Sequence, residues 1–276
     1  MKIAISGKGG VGKTTLAAVL ARLYAAEGRQ VLAVDADPDA NLGLALGFSE
    51  DELNEIVPVS KMRELIAERT GASEGGFGRF FKINPHVSDI PDRFAKEKNG
   101  VKLLVMGTVE TGGAGCVCPE HVILKRVISH LVTGRDEVVI MDMEAGLEHL
   151  GRGTAEMVDR FIVVIEPGAR SLQTFHRVKE LASDLGVKRV SVVANKLRDE
   201  EDADFLESRV PASELLGLIY YDEGVVKADM DGISPFDVSE SAVADIIRIK
   251  ENIDEAMKER PEDEPSDAGE ERSPKA

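Results

Sequence analysis

Nine residues near the start combine glycine, lysine and threonine in a pattern suited to polyphosphate chemistry: Gly7-Lys8-Gly9-Gly10-Val11-Gly12-Lys13-Thr14-Thr15. The apolar run before them, Lys2 to Ser6, reads as a short buried strand. The run after them, Leu16 to Tyr24, has strong helix formers at helical apolar spacing. Strand, glycine loop, then helix is the context of a phosphate-binding loop. There the backbone N–H groups of Gly9, Gly10, Val11, Gly12, Lys13, Thr14 and Thr15 turn toward the phosphates, and the helix start adds its positive end. Lys13 would reach the β- and γ-phosphates and the Thr14 hydroxyl would ligate Mg²⁺.

Three further stretches supply partners for that loop. Asp35-Ala36-Asp37 closes a second apolar run from Gln30, at the strand end where open α/β sheets bind ligands. Val138-Val139-Ile140-Met141-Asp142 is an apolar strand ending in an acid, able to hold a Mg²⁺ hydration shell. Val192-Val193-Ala194-Asn195-Lys196 places an amide just past another strand. An amide offers one donor and one acceptor edge, which suits an adenine ring. Asn195-Lys196-Leu197-Arg198 lacks the aspartate of guanine-selective sites, so ATP is expected over GTP.

The elements that position these groups alternate. Strands are expected at 101–106, 137–141, 161–165, 189–194 and 215–220, with helical patterns at 119–132, 171–185 and 204–209 between most of them. This predicts a doubly wound, mainly parallel α/β sheet forming one domain over residues 1–258. Residues 49–100 form a long excursion, expected beside the nucleotide cleft, with a helix at 60–69. An amphipathic helix at 239–258 should dock on the sheet. The tail, 259–276, is charged and lacks a core pattern, so disorder is expected there.

The 276-residue chain has a formal net charge of −16; the tail accounts for −4 and the rest for −12. Such a body disfavours nucleic acid and anionic membrane partners. With no signal-like start and no spanning apolar run, a soluble cytoplasmic protein is expected. The two cysteines, Cys116 and Cys118, lie one residue apart in Gly113-Ala-Gly-Cys-Val-Cys-Pro-Glu120. Such a pair can point at one ion, but it supplies only two ligands. Two chains brought together would supply four, a thiolate site for Zn²⁺ or Ni²⁺.

Lys8, early in the loop, resembles the second lysine of the deviant P-loop ATPases related to MinD, ParA and the nitrogenase iron protein. That resemblance implies an ATP-dependent homodimer in which Lys8 contacts the partner's nucleotide, an Asp37 that orients water or acts through Mg²⁺, and a switch at Asp142-Met-Glu-Ala-Gly146. It also implies that Asn195 and Lys196 lie at the adenine. Gly-Xaa-Gly-Cys-Xaa-Cys-Pro-Glu, with Lys-Leu-Leu-Val-Met-Gly-Thr at 102–108 and Asp-Met-Glu-Ala-Gly-Leu-Glu-His at 142–149, resembles the CooC family. This second resemblance implies an accessory ATPase that inserts nickel into carbon monoxide dehydrogenase, or a relative serving acetyl-CoA synthase, with ATP/ADP, Mg²⁺ and Ni²⁺ or Zn²⁺ bound. The rival readings are a MinD- or ParA-type positioning ATPase, which would need a basic face or membrane helix, and an iron–sulfur electron carrier. In the latter a cysteine stands where this chain has His149.

Overall fold

The computed structural model describes residues 1–72, 81–108, 118–133, 137–144, 152–155 and 157–258. Its strands are β1 (Lys2–Gly7), β2 (Val31–Ala36), β3 (Lys96–Lys98), β4 (Val101–Val105), β5 (Val138–Met143), β6 (Arg160–Ile165), β7 (Val190–Leu197) and β8 (Leu215–Tyr220). They form one sheet in the order β3-β4-β2-β5-β1-β6-β7-β8, parallel throughout except that β3 runs antiparallel to β4. The expected doubly wound sheet is therefore present.

Alternating side chains on each strand feed two cores, as the strand period of two requires. Ala4, Leu32, Val34, Met141, Phe161 and Val163 face one way, packed with the helices Pro119–Thr133 and Ala169–Asp184. Ile3, Ile5, Ala33, Ile140, Ile162 and Val164 face the other, against the helices Lys13–Ala26 and Glu240–Lys258. Burial on both faces explains why the strands read as continuous apolar runs.

The differences from expectation are local. β5 continues to Met143, so Asp142 lies inside the strand. β7 continues to Leu197 through an irregularity beyond Ala194, so Asn195 and Lys196 also lie within a strand. Lys196 takes a left-handed backbone with φ of 61°. The helix expected at 60–69 is instead a 3-10 turn at Val59–Lys61 followed by Arg63–Thr70, and the one at 204–209 spans Glu200–Glu207. The described part of the excursion packs Val59, Leu65, Ile66, Val87 and Ile90 into the first core. The excursion ends in the β3–β4 hairpin, which patterning missed because Lys96-Glu97-Lys98 is polar. Asn99-Gly100, both at positive φ, are its two-residue turn, and this dipeptide was the available signal.

Candidate functional site

The P-loop leaves the C-terminal end of β1 with Gly10 and Gly12 at φ of 79° and 94° and delivers Lys13 as the first residue of its helix. Only glycine adopts these backbones without strain. A Cβ on Gly12 would also lie 2.1 Å from the Asn195 amide nitrogen. Gly9, Gly10 and Lys8 are exposed, Val11 and Lys13 are buried, and Thr14 and Thr15 are half-buried. Lys8 thus stands on the outer side of the loop, with its carbonyl accepting from the Val11 N–H at 3.4 Å.

Sheet pairing brings the acids to the same edge. Asp142 of β5 lies level with Ile5 of β1 on one side and Asp35 of β2 on the other. The Thr14 hydroxyl donates to Asp142 Oδ2 at 2.7 Å. Asp142 Oδ1 is buried and has no hydrogen-bond partner among the described residues. Lys13 Nζ lies 3.6 Å from Asp37 Oδ2. Burial pushes the Asp142 carboxyl up to about 6, against the opposing pull of the Thr14 hydroxyl and Lys13. Burial also pushes Asp35 up to about 7, with Asp142 adding repulsion. An edge that crowds three carboxylates around one lysine has spare negative charge, the condition in which a divalent cation is welcome. The unpartnered Oδ1 beside the Thr14 hydroxyl is an oxygen set that suits Mg²⁺.

Asp35, fully buried, is a structural group: its carboxylate accepts from the N–H of Leu42 at 2.9 Å and of Asp37 at 3.3 Å. It thereby sets the turn that presents Asp37.

Asn195 and Lys196 brace the loop from β7. The Asn195 amide donates to the Val11 carbonyl at 2.8 Å and accepts from the Lys196 N–H at 2.8 Å. Lys196 Nζ donates to the Gly10 carbonyl and pairs with Glu166 at 2.7 Å. No local sequence pattern announces this bracing role. Both residues also line a cavity with Gly12, Thr15, Tyr221 and Asp222, between the P-loop and the link from β8 to the helix Glu223–Asp231. Asp222 caps that helix, accepting from the Gly224 N–H and from the hydroxyls of Ser239 and Ser241.

Cys118 is half-buried just ahead of the helix Pro119–Thr133, and its carbonyl accepts from the Val122 N–H at 3.1 Å. Cys116, Gly146 and His149 lie outside the described residues. Among the described residues no group of three or more histidines, cysteines or acids is placed to hold a metal ion, and no helix is long and apolar enough to cross a membrane.

Residues 2–236 match the family described as the CobQ/CobB/MinD/ParA nucleotide binding domain. The carbon monoxide dehydrogenase accessory protein CooC of Rhodospirillum rubrum is 50% identical over 239 residues, 87% of this chain and 90% of that protein. The chain belongs to the CooC branch of this nucleotide-binding family, and it is an ATPase. An uncharacterized ATP-binding protein of Methanocaldococcus jannaschii is 48% identical over 90% of this chain and 96% of its own length. MinD of Bacillus subtilis is far more distant, at 26% over 82% of this chain and 78% of its own. The fold of this CooC relative is that of MinD: the Aquifex aeolicus protein from the MinC:MinD complex superposes with a TM-score of 0.63 at 19% identity, covering 96% and 99% of the two chains.

Proposed function

We propose that this chain is an ATP-driven metallochaperone that delivers nickel to the active-site cluster of carbon monoxide dehydrogenase, or of acetyl-CoA synthase. The observation that carries the reading is the 50% identity to CooC over 87% of the chain. With it goes the family's resemblance at the Gly-Xaa-Gly-Cys-Xaa-Cys-Pro-Glu loop. In this reading Lys13 and the N–H groups of the P-loop bind the β- and γ-phosphates. Asp142 and Thr14 would hold Mg²⁺, which would neutralise phosphate charge. Nucleotide phosphates draw Lys13 off its 3.6 Å contact and release Asp37 to orient the attacking water. The adenine occupies the cavity beside Asn195, Tyr221 and Asp222.

Lys8 enters the partner chain's site, so hydrolysis belongs to the homodimer. Closure brings Cys116 and Cys118 of both chains together as four thiolates for the cargo ion, Ni²⁺ or Zn²⁺. Reopening after hydrolysis hands the ion on.

Mass and metal content, measured together on wild type and on Cys116→Ala/Cys118→Ala, test this reading. Each protein is loaded with Ni²⁺ or Zn²⁺, with and without ATP. One ion per dimer is expected in wild type and none in the double variant, with nucleotide binding intact in both. A metal-free wild-type dimer would overturn the cargo assignment and leave the ATPase standing.

A further inference from the structure

The edge of the sheet opposite the P-loop carries a second cleft, of about 650 Å³, where the N-terminal ends of β6, β7 and β8 meet the last helix. Arg160, Ser191 and Glu214 line it from three adjacent strand starts, with Lys179 and Arg189 beside them. Arg160 is only 6% exposed. One arm of its guanidinium donates to the Ser191 hydroxyl at 2.6 Å, and its Nε is buried with no partner among the described residues. Arg189 lies close enough to repel it: burial first, then the Arg189 charge, lowers the Arg160 pKa. Two guanidiniums that line one cleft and repel each other are a costly arrangement unless an anion shares the cleft. The acid that lines the cleft is already engaged: Glu214 Oε1 pairs with Lys179 at 2.5 Å. Its other oxygen, Oε2, is buried and has no partner among the described residues.

An unmatched donor and an unmatched acceptor in one cleft specify their ligand. The guanidiniums call for an oxyanion. Glu214 Oε2 calls for a hydrogen-bond donor and turns away any anion made only of acceptor oxygens. We propose that this cleft is a binding site for a small protonated oxyanion, hydrogen phosphate first, held by Arg160, Arg189 and Ser191 with its O–H donated to Glu214. Sulfate has the charge and lacks the proton. A phosphomonoester dianion lacks it too. Bicarbonate carries the proton with half the charge. The site is separate from the nucleotide edge by the length of the strands, roughly 20 Å, and it stands whether or not the metallochaperone reading holds.

Titration calorimetry of the full chain, with the P-loop saturated by Mg²⁺ and a non-hydrolysable ATP analogue, tests it. Inorganic phosphate is titrated against sulfate, phosphoserine and bicarbonate at matched ionic strength. One phosphate per chain is expected, with sulfate, phosphoserine and bicarbonate at least tenfold weaker; bicarbonate binding more tightly than phosphate would overturn the assignment to phosphate. Arg189→Gln, at a half-buried position that leaves the Arg160–Ser191 bond alone, should weaken phosphate at least tenfold without changing analogue affinity. Glu214→Gln should narrow the preference for phosphate over sulfate. Phosphate binding unchanged in Arg189→Gln, or absent once the P-loop is filled, would overturn the site.

Discussion

Gly12 shows how closely the residue scale is determined. Its backbone is left-handed and its missing side chain leaves room for the Asn195 amide that holds the Val11 carbonyl. Gly12→Ala therefore imposes two separate penalties: about 1–2 kcal/mol for an L residue in that conformation, plus the displacement of Asn195. The expected outcome is a stability loss of about 2–4 kcal/mol by denaturant unfolding, with nucleotide affinity reduced by more than tenfold. Adding Asn195→Ala should relieve the collision and leave the backbone strain, so the two substitutions should be strongly non-additive. Additive losses would mean that the amide moves aside freely. At the neighbouring acid, Asp142→Asn leaves an oxygen to accept from Thr14 but removes the charge. Mg²⁺-dependent tightening of ATP binding should then fall at least tenfold, with Mg²⁺-free affinity little changed.

At the scale of elements, the final helix is tied to the nucleotide edge through Asp222. Its carboxylate collects the hydroxyls of Ser239 and Ser241 and the Gly224 N–H, and these bonds, in that order, hold its pKa below the ordinary carboxylate value. A carboxyl with a lowered native pKa contributes stability that is fully present above its unfolded pKa, about 4. That contribution is lost as pH falls through the native value. Asp222→Asn should therefore be less stable than wild type by about 1–2 kcal/mol at pH 7, with the gap closing below about pH 4. A gap independent of pH would assign the effect to packing alone.

Much of this level is legible from sequence, because a buried parallel strand ending in an acid or an amide carries its own signal. β1, β2, β5 and the P-loop are examples. What escapes is structure made by contacts distant in the chain. No local pattern says that β7 runs on through a left-handed Lys196 so that Asn195 and Lys196 can grip a loop almost two hundred residues earlier. Nor does any local pattern reveal that Asp35 serves the turn and Asp37 the lysine. The β3 strand was hidden for a different reason: a polar edge strand has no apolar alternation, and only its Asn99-Gly100 turn marks it.

At the scale of the whole molecule, the sheet separates two kinds of charge. The C-terminal edge carries Asp35, Asp37 and Asp142 with Lys13; the opposite edge carries Arg160, Arg189, Lys179 and Glu214 in one cleft. Lys8 belongs to neither group, standing exposed on the outer side of the P-loop, where a second molecule could meet it. If it completes the partner's site, two differently damaged chains should repair each other. Lys8→Ala keeps its own Asp37 and needs only a lysine from outside; Asp37→Asn keeps Lys8 to lend. Each variant alone should lose hydrolysis by about 10²–10³-fold or more, the scale of a lost charge-stabilising finger or water-orienting group, while still binding ATP. Mixed in equal amounts, half of the dimers are mixed and each has one intact site, so activity should return to about a quarter of the wild-type value under random pairing. The recovery should follow protein concentration, since it depends on association. A mixture as inactive as its components, at concentrations where both variants are dimeric, would place Lys8 in its own chain's site and remove the requirement for a dimer from the chemistry.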